Sequence, residues 1–509
     1  MMRTLCVLGA LLGGCAGTGT VTASSDDGAI VPRPGPTTVI EPAPGVHKPP
    51  FRFNAPDEAM LDDIQRGCFL FFWHEVSPKT GMVVDRTSGP LVSVAGVGFQ
   101  LSALPIGVER KWVSKDDARE RASLILSSLQ NNRANRRHGL FYHYLDPDTA
   151  GPHTGSHEHV ISTIDSALLI AGIITAGEYF GGSVKQAADA LVRECDWQSF
   201  VLRKSQRAYE EGFISLGFRP SDPASPDGAG ELLPYVWADA GDEQRLVTFL
   251  GVGAVKKAGR VEPEVYYRLR RQLGSYRDTG PLVWFPWSGA LFTNVFAHCW
   301  IDFRSYGTDN PAGFGIEHRA PVDWWENSRR AVRLHQLKAR DNPRGFAGWG
   351  KNAWGLTASD APSGYAVPGV FPVAIPMEGA APNVDFAVHT VQDDLGDGTL
   401  APYAAGSAIM FDQEASLAAL RHYQGLRGPD GKALVWREPN PAAREYGFRD
   451  AFNQGKGWVA TDYVAIDQGP LILSIENART GLIWRLFSGS EVAKGAAERL
   501  RLRAGKGAD

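Results

Sequence analysis

The chain has 509 residues, with 52 Lys and Arg against 56 Asp and Glu for a net charge of −4. That balance, without a basic block, argues against nucleic acid as a partner. Five cysteines, two of them within the first fifteen positions, give the body no disulfide framework, so the fold must rest on hydrophobic packing.

The N-terminal stretch "MMRTLCVLGALLGGC" has an early Arg3, an apolar run and small residues before a cysteine. It reads as a secretory signal over residues 1–14, too short for a membrane span. Its "LGGC" resembles the lipobox of bacterial lipoproteins, which makes Cys15 the expected lipidation site. Residues 15–56 are rich in Gly, Thr, Ser and Pro and read as an extended tether. The globular body is expected over 57–490, with 491–509 as a tail. Helical periodicity runs through 57–75, 114–130, 160–180, 184–196, 243–257, 262–274, 321–340, 412–424 and 467–485. Ser114 with Asp117 forms an N-terminal capping pattern. "DWWENSRRAVRLHQLKA" places acids early and bases late, as the helix dipole favours. Strand signals are weak and brief, and the longest loop is expected between Asp360 and Ala401. Cys68, Cys195 and Cys299 lie in apolar helical contexts and are expected to be buried free thiols.

Antiparallel helix pairs joined alternately by short and long loops are what a double ring of helices requires. The apolar, small-residue-rich "STIDSALLIAGIITAGEYF" and "AIDQGPLILSIENARTGLIWRLF" are its expected inner helices. No repeat of fixed period supports a helical solenoid.

The stretch "NVFAHCWIDFRS", 294–305, concentrates chemistry-bearing residues. No second Cys lies two to four residues from Cys299, so a structural zinc site is not expected. At helical spacing Phe292, Val295, Phe296, Cys299 and Phe303 form an apolar stripe, leaving His298, Asp302 and Ser305 on a neighbouring face. Asp165 and Asp467 are acids inside apolar helical segments, where an unpaired charge is expensive and must have a reason. Asp397 lies on the long loop. Trp300, Trp324, Trp325, Trp349 and Trp354 stand beside Asp, Glu, Asn or Arg, a composition suited to stacking on sugar rings and binding their hydroxyls. Asp393, Asp394 and Asp397 are an acidic loop group able in principle to hold a hard cation; the expectation is nevertheless no metal and no cofactor.

Seven segments in order, "ALPIGVERKWVSKDDARERA", "ISTIDSALLIAG", "HCWIDFR", "WWENSRRA", "NAWGLTASDAPSGY", "DGTLAPYAAGSA" and "IDQGPLILSIENARTGLIWRLF", resemble the bacterial glucoamylase-like proteins that include glycoside hydrolase family 144, the β-1,2-glucanases. The resemblance implies an all-α (α/α)6 barrel with long functional loops at one end, and inverting hydrolysis of a β-1,2-glucan substrate. In "WADAGDEQRLVTFLG" it implies Glu243 as general acid, although Gly241-Asp242-Glu243 stands where the family more often has an aromatic before the acid pair. Asp467 and Asp397 are the base candidates, and Asp165 a substrate-binding or base-positioning acid. His298, Trp300, Asp302, Arg304, Glu326, Asn327, Arg329, Trp354 and Asp360 are expected around the glycan, with Arg304 orienting a neighbouring carboxylate. The alternatives are an exo-acting or other-linkage glucosidase on the same barrel, and a glycan-binding lipoprotein without catalysis. In each case the expected setting is an exported protein held to a membrane through its lipid anchor alone, facing the periplasm or cell surface.

Overall fold

The computed structural model describes residues 39–43, 45–153, 159–205, 210–241, 243–375 and 392–502. Cys15 and the signal lie outside them. The described residues hold fourteen helices, and the chain alternates between an outer and an inner layer of them. The outer α1 (Ala55–His74) leads to the inner α2 (Val94–Glu109), then outer α3 (Lys115–Asn131), inner α4 (Thr163–Phe180), outer α5 (Gly182–Glu194) and inner α6 (Gln244–Gly253). A short α7 (Glu264–Arg268) follows. The next inner segment, 291–306, consists of two 3-10 turns and α8 (Phe303–Tyr306). Outer α9 (Trp324–Asp341), inner α10 (Pro402–Ser407), outer α11 (Gln413–Gly425) and inner α12 (Ala465–Arg479) close the ring, and α13 (Leu482–Gly489) and α14 (Glu491–Arg499) pack outside it. This is an (α/α)6 barrel.

The inner ring can close because its helices approach at backbone distance. A Cβ on Gly98 of α2 would stand 2.2 Å from the Leu168 carbonyl oxygen, and one on Gly172 of α4 only 2.0 Å from the Gly98 carbonyl oxygen. On the other flank of α2, a Cβ on Gly469 would meet the Phe99 ring at 2.1 Å. Three glycines and Pro105 inside α2 hide it from propensity reasoning, yet fourteen of its sixteen residues are buried. α4 is long and apolar enough to cross a membrane, but 89% of its apolar window is buried in the barrel wall.

Two expected helices are divided or shortened. The segment 467–485 breaks at Gly481, whose left-handed φ of 68° lets its N–H cap the Asn477 carbonyl and end α12. The segment 262–274 keeps a helix only to Arg268, because Arg270 bridges Asp239 and Leu273–Ser275 becomes a strand between two others. The expected C-terminal tail begins with α14, which packs on α6.

The inner segments begin at one end of the barrel, the mouth, and short strands stitch the loops there. Val92–Ser93 pairs with Tyr144–Leu145, and Ile161–Ser162 with Gly217–Pro220. The opposite end is the floor, and the N-terminal strap lies on it rather than continuing as a free tether to residue 56. Ile40 is buried and bridges Val322, its carbonyl accepts from Asp323 N at 2.8 Å, and Phe51 N donates to the carbonyl of Ala478 at 2.7 Å.

If backbone contact between α2 and α4 is what closes the ring, Gly172→Ala must push the helices apart. The expected cost is at least about 2 kcal/mol, from overpacking that cannot relax. Gly425→Ala, with nothing within 4 Å of the added methyl, should cost nothing measurable. Urea unfolding of both variants checks this.

Candidate active site

Two groups of acids stand at the mouth. The first is carried by α4 and α6. Ser162 caps α4, its Oγ 2.5 Å from Asp165 Oδ2, and His143 Nε2 lies 3.6 Å from Asp165 Oδ1 while its ring stacks on Tyr144 at 3.9 Å. Glu243, 3% exposed, is the residue immediately before α6. The turn that delivers it needs glycine: Gly241 has φ +89°, and a Cβ there would sit 3.2 Å from the Trp284 backbone. A side chain at this position would be strained. Close by, Asp239 accepts from Arg270 at 2.5 Å and from the indole N–H of Trp287 at 2.8 Å. Trp287 is 51% exposed, a large apolar face open to solvent beside buried acids.

The second group surrounds the start of α12. Arg86 reaches Asp360 at 3.0 Å, Asp85 at 3.2 Å and Asp462 at 3.8 Å, and its guanidinium lies 5.8 Å from the Tyr365 ring centroid. The backbone N–H of Asp360 donates to Asp450 Oδ2 at 2.7 Å. Asp450 and Asp467 are in turn hydrogen-bond partners, and Tyr403 borders Asp467. Burial, followed by the charge of Asp360, pushes Asp450 up to about 7. Burial and the neighbouring Asp450 raise Asp467 well above the carboxylate range. Asp360 is also raised by burial, with Arg86 working against the rise. Burial opposes the charge of Arg86, but Asp85 and Asp360 more than offset it and hold the guanidinium protonated.

These groups face each other. Around the inner ring α6 packs on α4, α4 on α2, α2 on α12 and α12 on α10, with 291–306 against α6 and α12. α6 and α12 are therefore three places apart in a ring of six, and Glu243 stands across the mouth from Asp450 and Asp467.

Of the residues expected to do chemistry, Glu243, Asp165, Asp467 and Asp360 gather at this mouth. Asp165 is on the side of Glu243, with α2 between it and Asp467. Asp397 does not join the cluster: Oδ1 accepts from Thr399 N and Oγ1, and Oδ2 meets Lys456 Nζ at 2.8 Å. Burial works against its ionisation, but Lys456 and Thr399 outweigh it and lower the pKa, so the group is committed to its own loop. Asp393 is likewise held 2.7 Å from Lys338 Nζ, and its contacts lead away from those of Asp397.

The stretch 294–305 is wall and floor, which corrects its reading as a sugar-binding face. Tight 3-10 turns replace the expected helix, so the predicted polar face never forms. His298 is sealed between Phe303 and Phe411, 2.8 Å from Ser328 Oγ, and burial drives its pKa well down. Trp300 is fully buried, with its indole N–H on Ser102 Oγ at 2.9 Å and its ring on Phe99. Asp302 pairs with Arg304, which also donates to the Pro49 carbonyl of the strap, so both belong to the floor. On α9, Asn327 clamps both backbone groups of Val283, and Glu326 is held by Arg329 at 2.6 Å and Arg330 at 2.7 Å. Trp354 is fully buried, its backbone N–H and carbonyl both bonded to Tyr423 Oη. None of these side chains reaches the mouth. Sequence reasoning passed over Arg86, Asp450, Tyr403 and Trp287. Nothing local marks Asp450, which follows Arg449 in "YGFRDAF".

Residues 234–491 match the Glycoamylase family, described as "Putative glucoamylase". The chain belongs to this family. A curated relative, the exo β-1,2-glucooligosaccharide sophorohydrolase (non-reducing end) of Parabacteroides distasonis, is 26% identical over 463 residues, 86% of this chain. The chain spans 57% of that relative's length. Two solved structures share the barrel. The endo-β-1,2-glucanase of Chitinophaga pinensis, in complex with sophorotriose and glucose, superposes with a TM-score of 0.67 at 23% identity, over 87% of this chain and 98% of that one. A β-1,2-glucanase of Parabacteroides distasonis gives 0.69 at 23% identity, over 89% and 61%. Within the family barrel, α12 and the loops over it supply the second acid group.

Arg86→Met removes the cation from that group. With both side chains of the Arg86–Asp360 pair only 16–17% exposed, the expected loss is about 3 kcal/mol at pH 8. The penalty exists only while the native carboxylates are ionised. It should shrink as pH falls through the raised folded pKa of Asp360. Denaturant titrations of wild type and variant across pH measure the difference.

Proposed function

We propose that the chain hydrolyses β-1,2-linked glucan with inversion, Glu243 acting as general acid and Asp450 as general base. The observation that carries this reading is the placement of a buried glutamate and a buried aspartate cluster on opposite sides of one barrel mouth. The linkage is taken from the names of the curated relative and the solved neighbours. Glu243 gives its proton to the glycosidic oxygen as the C–O bond breaks. A water on the other face attacks the anomeric carbon and passes a proton to Asp450, leaving a hemiacetal of inverted configuration. A base whose pKa is raised towards neutrality suits that task, since it can both accept and later return a proton. Asp360 fixes Asp450 through its backbone N–H while its own carboxylate is occupied by Arg86. Trp287 offers a glucose ring an apolar face beside the hydroxyl-binding carboxylate of Asp239.

Incubation with linear β-1,2-glucan, laminarin and starch tests the substrate. Hydrolysis of the first alone supports the proposal, and silence on it overturns it. A single disaccharide product marks exo action, as in the name of the curated relative, and a ladder marks endo action. Glu243→Gln and Asp450→Asn should each lower turnover by about 10² to 10⁴-fold while binding persists. A substrate with a good leaving group should restore rate to the first variant and not the second. Because a base must be unprotonated to work, wild-type kcat/KM should fall as pH drops below about 7. Trp287→Ala should raise KM with little change in kcat.

The anchored setting is part of the same proposal and rests on "LGGC". Cys15→Ser should move the protein from the membrane fraction to the soluble one; unchanged fractionation would show that Cys15 carries no lipid.

A further inference from the structure

Asp467 was expected as a base from its place in an apolar helix, but its surroundings assign it a different part. It is 1% exposed in the first turn of α12, and neither carboxylate oxygen meets a donor with a fixed hydrogen among the described residues. Oδ1 of Asp450 is in the same condition. Two carboxylates in contact, with three buried oxygens lacking donors, would repel each other and leave every one of those oxygens unsatisfied. One proton between them relieves the repulsion and gives Asp450 Oδ1 a donor. The Tyr403 hydroxyl is within hydrogen-bonding reach of Asp467 but has a competing acceptor. The hydroxyl of Tyr403 directs its single hydrogen at the Ala358 carbonyl, 2.7 Å away, and Arg86 is spent on Asp360, Asp85 and Asp462. The α2 flank of the site is apolar, with Gly96 against Ala465 and Phe99 against Gly469.

The two acids are not equivalent. Oδ2 of Asp450 accepts the Asp360 N–H at 2.7 Å, a bond that favours a negative charge on Asp450, and Arg86 stabilises that charge from beyond Asp360. Asp467 has no such bond. We infer that Asp467 keeps its proton under working conditions and donates it to Asp450, making it a positioning residue that holds the base in place rather than a base itself. Asp467 Oδ–H then points at Asp450, whose remaining lone pairs are left for the attacking water. Asp360 adds negative charge beside the pair, which strengthens retention of the proton.

This inference rests on the proposed role of Asp450 for its kinetic consequence, but the location of the proton can be tested without turnover. Asp467→Asn places an amide N–H where the acid O–H was. It should keep kcat/KM within about tenfold of wild type, whereas Asp467→Ala, which removes the donor, should lose about 10²-fold. A protonated carboxylic acid stretch should persist at pH 8 in the infrared spectrum of the wild type, vanish in Asp467→Asn and survive in Asp360→Asn. Stability supplies a third reading. An acid whose folded pKa is raised contributes stability at low pH that is lost as pH rises through that value. The wild type should therefore lose midpoint stability on going from pH 6 to pH 9, and Asp467→Asn should lose much less. If Asp467→Asn is as inactive as Asp450→Asn while binding and folding persist, Asp467 ionises in catalysis and the assignment is wrong. Absence of the acid stretch in the wild type at pH 8 overturns it as well. A wild type that cleaves no glucan would refute the proposed activity alone, since the infrared and stability readings would still locate the proton.

Discussion

Five carboxyl groups, those of Asp85, Asp360, Asp450, Asp462 and Asp467, converge at the start of α12, with Arg86 as the cation in contact with them. Arg86, with Arg444 acting on Asp462 from outside, cannot balance five negative charges in a place largely closed to water. The molecule meets this constraint in graded fashion. Asp462 accepts from the hydroxyls of Thr87 and Ser88, Asp360 takes the guanidinium, and the two deepest acids rise in pKa. A reactive acid at this depth exists because charge is progressively withheld from the interior.

The barrel turns that local chemistry into a site. Glycines draw α2 against α4 at backbone distance and make room for side chains between α2 and α12, and the inner helices so packed all present their first turns to the same end. Loops can then vary without disturbing the ring. The mouth loops carry Asp85, Arg86, Asp239, Trp287, Asp360 and Asp450, whereas the helices themselves contribute Asp165 and Asp467 and place Glu243 at the entry to α6. Rigid helices fix the innermost groups, and the loops bring their partners over them.

What was legible in the sequence follows the same division. Asp467 and Asp165 stood out because an acid within an apolar helical run violates the pattern around it. Asp450 and Arg86 lie on loops, where polar residues are ordinary and no local pattern is broken; only the fold shows that "DRTSGP" and "FRDAF" meet. The stretch "HCWIDFR" misled for the opposite reason. Its polar residues looked concentrated for chemistry, but 3-10 turns rotate them differently from an α-helix and tertiary partners such as Ser328, Ser102 and Pro49 absorb them. Tryptophans beside charged residues were equally ambiguous. Trp300 and Trp354 are core, and the exposed Trp287 had neighbours no more distinctive than theirs. The helix α2 was invisible because its glycines, which lower helix propensity, are the residues that make its packing possible.

The strap across the floor has a practical meaning. Ile40 and Phe51 secure the N-terminal segment to the face opposite the mouth, so the chain leaves the barrel at the pole furthest from its acids. A bead, electrode or fused domain joined ahead of Val39 is therefore attached on the floor side of the barrel, not at its opening. Polymers too large to slip beneath a surface-bound barrel would still reach it from above. Attachment through the opposite route, at loops around the rim, would instead press the opening against its support.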